Sequence, residues 1–241
     1  MKFKNLLIIL VICIFLINFL ISFFILLKDF IAYKENTNST EQLIQEVVTV
    51  NETEEKTKIN WEQLNKINND IIAWIEIENT NINYPILKDN NLYYLNHSHD
   101  KKYNKNGAIF TTNTYPFQEQ ETIIYGHNMK NGSMFSDLGK YLKKDYFNSH
   151  NKIKIYTPSG DFEGIIFSAY SIGIDEENNN IKTLDFNERI EYYKKASTCK
   201  IENVDNISKI IKLSTCSYIN AKTTPTDQRY YIVAYLFPIL L

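Results

Sequence analysis

Hydrophobic and polar positions divide the chain into three regimes. From Leu6 to Leu27 the residues are almost wholly apolar, broken only by Asn18 and Ser22. A run of about 20 such residues crosses the hydrocarbon core of a bilayer. Lys2, Lys4 and the N-terminal amine precede it, while Lys28 beyond it is offset by Asp29, which places the N-terminus inside. A cleaved secretory signal is the competing reading, but the run is long for one and no A-x-A-like site follows. The segment reads as a single-pass anchor over residues 6–27, with a cytoplasmic tip at 1–5 and the bulk of the chain outside the cell.

Residues 28–59 are polar and read as a stalk. Ser39 with Gln42 resembles a capping box, ahead of Leu43, Ile44, Val47 and Val48 at helical spacing. Glu52, Glu54 and Glu55 read as a solvated face. A short helix is expected over Trp61–Ile67 with Asn60 as its cap. From there to residue 241 the chain reads as one folded domain.

Beyond Ile71 the period changes to short apolar runs separated by Asn, Asp, Gly and Pro. Strands are expected at Ile71–Ile77, Ile82–Leu87, Gly107–Thr111, Glu121–Tyr125, Lys152–Thr157, Asp161–Tyr170, Ile207–Thr215 and Tyr230–Phe237. Eight short strands with turn-rich joints predict a mainly β fold, a closed or nearly closed barrel. Two stretches read as helix, Met134–Tyr146 and Asp185–Ser197, the second with Phe186, Ile190 and Tyr193 at helical spacing.

The last two strands carry the chemistry. Paired antiparallel, they make Cys216 and Arg229 neighbours at one sheet edge. Alternation puts Lys212, Ser214 and Cys216 on one face and Ile211, Leu213 and Thr215 on the other. The apolar set predicts a core, and the cysteine then faces a polar groove.

Composition narrows the field. With 241 residues, 44% of them hydrophobic, and a net charge of −2, the chain can build one good core, and nothing in it suggests a nucleic-acid partner. Three cysteines make no disulfide framework, and a Cys199–Cys216 bridge would occupy the best nucleophile. His97 and His99 have H-x-H spacing but no matching ligand cluster, so they read as a polar surface loop, as does His150. No clustered carboxylates suggest calcium, and no cofactor or metal follows. Cys199 reads as a small, partly buried residue at a helix end, and Arg189 as a surface charge. Asp227 is placed either to steady Arg229 or to form a turn.

His127 stands apart. It directly follows Glu121–Tyr125, and Gly126 permits a sharp turn that aims an imidazole over the sheet edge. A cysteine, a histidine and an arginine make sense together as an acyl-transfer site. A thiolate attacks, an imidazolium protonates an amine leaving group, and a guanidinium holds an oxyanion. The Asp or Asn orienter of a papain-type triad is missing.

These residues resemble a known family. Leu213-Ser-Thr-Cys216 is similar to the L-x-T-C signature of sortases, membrane-anchored cysteine transpeptidases of Gram-positive bacteria. Ala73-Trp-Ile75, Asn83-Tyr-Pro-Ile86, Asn91-Leu-Tyr-Tyr-Leu-Asn96, Gly107-Ala-Ile-Phe110, Ile123-Ile-Tyr-Gly-His-Asn-Met129 and Ser133-Met-Phe135 resemble class B members in particular. The resemblance covers about residues 60–237. It implies an eight-stranded sortase-type β-barrel with N-terminal helices and a helix inserted before the cysteine strand. It also implies a thioester on Cys216, His127 as general acid and base, and Arg229 on the oxyanion. The implied partners are surface proteins bearing a C-terminal sorting motif and a peptidoglycan amine, on the wall or on its lipid-linked precursor. Ser214, Asn91, Leu95 and Ser217 match or adjoin substrate-groove positions. Lys212 stands where the family usually has Thr, the segment 220–228 is long and rich in Thr, and Ser217 follows the cysteine. With no D-P-x-type lid upstream, protein anchoring is favoured over pilus polymerisation. A non-catalytic tethered module and a hydrolytic cysteine peptidase are the alternatives. The apolar tail Pro238–Leu241 has no account in these terms.

Overall fold

The computed structural model describes residues 2–51, 56–199, 201, 205–219 and 226–239. Glu52, Glu54 and Glu55, most of the Thr-rich segment and the end of the apolar tail lie outside the described residues. The chain separates into two compact units, Met1–Gln42 and Leu43–Leu241. The first lies within α1 (Lys2–Val47), whose apolar part is long enough to cross a membrane. The helix runs without a break through Ser39, so the expected capping box is not a helix start. A cap acts only where the chain enters a helix from non-helical backbone, and here about ten turns already precede it.

The second unit begins with the last turn of α1. The expected stalk contributes a hairpin that its sequence did not signal, β1 (Val48–Asn51) with β2 (Lys56–Ile59). The helix α2 (Trp61–Ile67) follows as expected, with the Asn60 side chain accepting from Gln63 N at 3.1 Å. Leu43, Val47, Ile59 and Leu64 then pack against Trp74 and Leu87 on the outside of the barrel.

All eight expected strands form. They are β3 (Ile71–Ile77), β4 (Asn83–Lys88), β5 (Ile109–Thr111), β6 (Glu121–Tyr125), β7 (Lys152–Tyr156), β8 (Phe162–Gly173), β9 (Ile210–Cys216) and β10 (Gln228–Pro238). They close in the order β10-β8-β7-β3-β4-β5-β6-β9. The β4–β5 and β6–β9 pairs are parallel and the other six antiparallel. Alternation fills the barrel with Ala73, Ile75, Ile86, Ile124, Ile155, Ile211, Leu213 and Ile232.

Helical expectations were met unevenly. The helix α5 (Phe186–Ala196) has a full capping box between Asp185 and Glu188, and its Phe186, Ile190 and Tyr193 cover the outer face of β8 and β10. Met134–Tyr146 is instead a 3₁₀ stretch, Ser136–Leu142, followed by α3 (Lys144–Ser149), with Met134 at φ 54°. The helix α4 (Ile174–Ile181) went unseen because its apolar residues stand only at the two ends. Three acids in its first turn favour it through the helix dipole.

Candidate active site

Three strand termini meet at one mouth of the barrel. Arg229 at the start of β10 pairs directly with Cys216 at the end of β9. Ser217 N donates to Gln228 O at 2.9 Å, while Ser214 O turns the other way to accept Gly126 N at 3.2 Å. Ladder bonds alternate along an antiparallel pair, so Cys216 and Arg229 form a non-hydrogen-bonded pair. That is the arrangement in which facing side chains approach most closely, with Cα atoms about 4.5 Å apart. The main-chain groups of Cys216 consequently point at β6.

The strand β6 lies parallel to β9, with Tyr125 opposite Ser214. Gly126 turns inward, where an added Cβ would sit 2.4 Å from Ile109 Cδ1 and 2.8 Å from Phe135 Cδ2. Parity therefore puts His127 outward, on the face of Ser214 and Cys216. The expected sharp turn is not what Gly126 provides, since its φ is not positive. Lack of a side chain is what the site needs there. His127 Nε2 lies 2.7 Å from Leu95 O. A carbonyl only accepts, so Nε2 carries the proton and Nδ1 is left to exchange one. This main-chain carbonyl occupies the place of the missing acidic orienter.

Leu95 O is itself held. The 3₁₀ turn Tyr93–Leu95 is pinned by Tyr94 N donating to Asp89 Oδ2 at 2.8 Å and Tyr94 OH donating to Asp70 Oδ2 at 2.7 Å. Burial pulls the Asp70 carboxyl upward, but hydrogen bonds from Tyr94 and Lys101 hold it below the usual range. Arg229 is fixed by Nη1 donating to Thr226 O at 2.9 Å and to Gln228 O at 2.8 Å. Asp227 stands in that turn, and its carbonyl accepts Ile174 N at 3.0 Å.

The groove-face residues divide. Asn91 and Leu95 are exposed on the turn beside His127, joined by exposed Leu92, and Tyr218 and Ile219 are exposed just past Cys216. Ser214 is buried opposite Tyr231. Ser217 is fully buried, its hydroxyl accepting from Ser171 Oγ at 2.8 Å and Ile219 N at 3.2 Å. It braces the chain after the cysteine and presents no surface to a ligand, contrary to its expected place in the groove. Lys212 also corrects the open-groove reading. It is 2% exposed beneath α4 and α5, with Nζ 3.2 Å from Glu177 Oε1, 3.7 Å from Glu121 Oε1 and 3.2 Å from Tyr193 OH. Alternation set its face correctly, but the inserted helices cover that face at Lys212.

Other expectations shift as well. Arg189 is no simple surface charge, since it pairs with buried Glu121 at 2.9 Å. Cys199 and Cys216 are both free thiols, Cys199 buried and Cys216 partly exposed. His97 stacks on Tyr93 with centroids 3.8 Å apart, whereas His99 is buried and its carbonyl accepts Asn68 Nδ2. Among the described residues no group of three His, Cys, Asp or Glu side chains is arranged to hold a metal. Sequence reasoning missed Thr215, whose hydroxyl donates to Gly126 O at 2.7 Å, and Asn128, whose Nδ2 donates to Cys216 O at 2.7 Å. Their adjacency to Cys216 and His127 was the only available signal.

A sortase domain model matches residues 75–237. The chain belongs to the sortase family. Among its relatives, sortase B of Listeria monocytogenes is 40% identical over 162 residues, which cover 64% of this chain and 65% of that protein. Sortase B of Staphylococcus aureus is 29% identical over 89% of this chain and 90% of its own. The crystal structure of sortase B from B. anthracis in complex with AAEK1 matches with a TM-score of 0.70 at 29% identity, covering 87% of this sortase and 100% of that chain. The S. aureus sortase B–substrate complex matches with a TM-score of 0.68 at 27% identity, over 87% and 100% of the two chains. This sortase therefore stands with class B, in a family of cysteine transpeptidases.

Proposed function

We propose that the protein cleaves a C-terminal sorting motif and joins the acyl fragment to a peptidoglycan amine, with Cys216, His127 and Arg229 as catalytic residues. The observation that carries the reading is the direct cross-strand pairing of Cys216 with Arg229, beside a histidine whose neighbours are bonded to the same strand. In the first step Cys216 Sγ attacks the Thr carbonyl of the motif. The C–N bond breaks, His127 gives its proton to the departing amine, and a thioester remains. Arg229, always charged, donates to the oxyanion formed on the way. In the second step an amine attacks the thioester, His127 takes its proton, and Cys216 leaves as thiolate.

Exposed Asn91 and Leu95 on one side and Tyr218 and Ile219 on the other are the groove walls in this reading. Related class B structures include a sortase B complexed with triglycine, a peptide with a free amine. A Streptococcus pyogenes relative is described as involved in pilus biogenesis, so product analysis must separate anchoring from polymerisation. The apolar part of α1 anchors the enzyme with its N-terminus in the cytoplasm and residues 60–241 outside, following residues 28–59.

The test mixes full-length enzyme in detergent with a panel of sorting-motif peptides and reads intact mass. An acyl adduct on Cys216, absent in Cys216→Ala and discharged by an added amine, is the expected result. Discharge to water at the same rate with and without amine would make the protein a hydrolase. No adduct from any peptide, with the barrel folded, would leave a tethered binding module.

A further inference from the structure

The parallel seam between β6 and β9 does not stop where the strands do. Past Tyr125 and Ser214 it continues first through Gly126 N to Ser214 O, a main-chain bond. The next two bonds come from side chains, Thr215 Oγ1 to Gly126 O and Asn128 Nδ2 to Cys216 O. The main chain of Asn128 has by then turned away to form a bridge with Met134, and His127 O accepts Phe135 N at 3.0 Å. The carboxamide spans the gap that this departure opens. Cys216 O faces β6 by the alternation of β9, away from β10, so the Asn128 amide is placed to satisfy it.

We infer that Asn128 is a positioning residue that locks the main chain of Cys216 to the loop carrying His127. One residue from the imidazole and bonded to the cysteine's own carbonyl, it makes the two groups move as a unit. This deepens the proposed function and rests on Cys216 being its nucleophile. Loss of the amide frees the strand end on one side while Arg229 still pairs on the other. Thiol and imidazole then drift apart, and chemistry suffers more than binding does. Among the described residues, the titratable and charged groups at this edge are Cys216, His127, Arg229 and Asp227, with Tyr125 and Tyr231 flanking Ser214 on the neighbouring strands, so the geometry of the first two is readable as a pH profile.

The test alkylates full-length protein in detergent with iodoacetamide across pH 5–10 and follows Cys216 by peptide mass. This readout needs no sorting peptide, so it stands apart from the transpeptidation assay. Asn128→Ala is expected to alter the pH dependence of Cys216 alkylation. Where a peptide substrate is turned over, kcat falls about 10- to 100-fold with KM changed little. Asn128→Gln, which retains a donor, recovers part of the loss, and Asn128→Asp, whose carboxylate cannot donate, does not. Thr215→Val, which removes the other side-chain bond, controls for simple loosening of the seam. An Asn128→Ala profile that superimposes on the parent, or one reproduced by Thr215→Val at equal loss of Tm, would overturn the inference. A failed transpeptidation assay with a normal Asn128 effect would instead count against the proposed function.

Discussion

His127 Nε2 and Leu95 O lie 2.7 Å apart, so the orientation of the imidazole depends on a turn far upstream in the chain. The link extends to Gly107. Its φ is +58°, and an added Cβ would stand 2.6 Å from both Leu95 O and Tyr94 O. Gly107→Ala is expected to push the Leu95 carbonyl off the histidine. A shift of about 1 Å costs on the order of 10²-fold in kcat. Single-turnover acylation checks this, and a normal rate would sever the proposed connection.

Arg229 spends part of its fork on its own loop, through Thr226 O and Gln228 O. Arg229→Lys keeps the charge and loses the planar set of donors. The expected outcome is a fall of about 10²- to 10³-fold in kcat, with the Lys variant little better than Arg229→Ala. Recovery of most activity by Lys would mean that charge alone suffices.

Gly126→Ala tests packing, not chemistry. The new methyl group would enter the barrel at Ile109 and Phe135, and overpacking of this kind costs about 1–3 kcal/mol. Denaturant unfolding should register that loss together with reduced acylation, because the residue adjoins His127.

Much of this site was legible in the chain. Period-two runs gave eight strands, and antiparallel pairing alone brought Cys216 beside Arg229, as the observed register has it. The β6–β9 pairing was not legible, because a parallel neighbour 89 residues away leaves no local trace. The fate of Lys212 was hidden for a related reason. Alternation gives a residue's face, but what covers that face depends on α4, whose Asn-rich sequence has only Ile174 and Ile181 as apolar residues to signal a helix.

Lys212 is the charged centre of a buried group containing Glu121, Glu177, Tyr193 and, through Glu121, Arg189. Glu177 also accepts from Tyr170 and Tyr192. Lys212→Ala takes from buried Glu177 its ion-pair partner and leaves Glu121 with Arg189, and it is expected to cost about 3–5 kcal/mol. Lys212→Met combined with Glu177→Gln should recover much of it, because removing both partners avoids an uncompensated charge. A double-mutant cycle by urea unfolding measures the coupling, and additive single effects would deny it.

Acid should weaken the loop that supports Leu95. Burial raises the Asp100 carboxyl, but hydrogen bonds from Lys102 and Ser98 outweigh it and hold the group at about 2, against an ordinary 3.8. Its folded pKa is depressed, so its contribution is full above about pH 4 and disappears as pH falls towards 2. Burial likewise lowers His99 from 6.5. The unfolded chain takes up that proton first, so stability begins to fall below about pH 6.5. Tm measured from pH 7 to 2 should decline in both windows, with His99→Gln flattening the upper part and Asp100→Asn the lower.

The β6–β9 seam has a consequence for biogenesis. Its bonds join residues 88 and 89 positions apart, and contacts so distant in the chain close late, after the loop-closure entropy has been met. A chain whose barrel is still open therefore holds Cys216 with the loop of His127 not yet joined to it. The end of β9 is fixed to that loop by the same closure that completes the barrel.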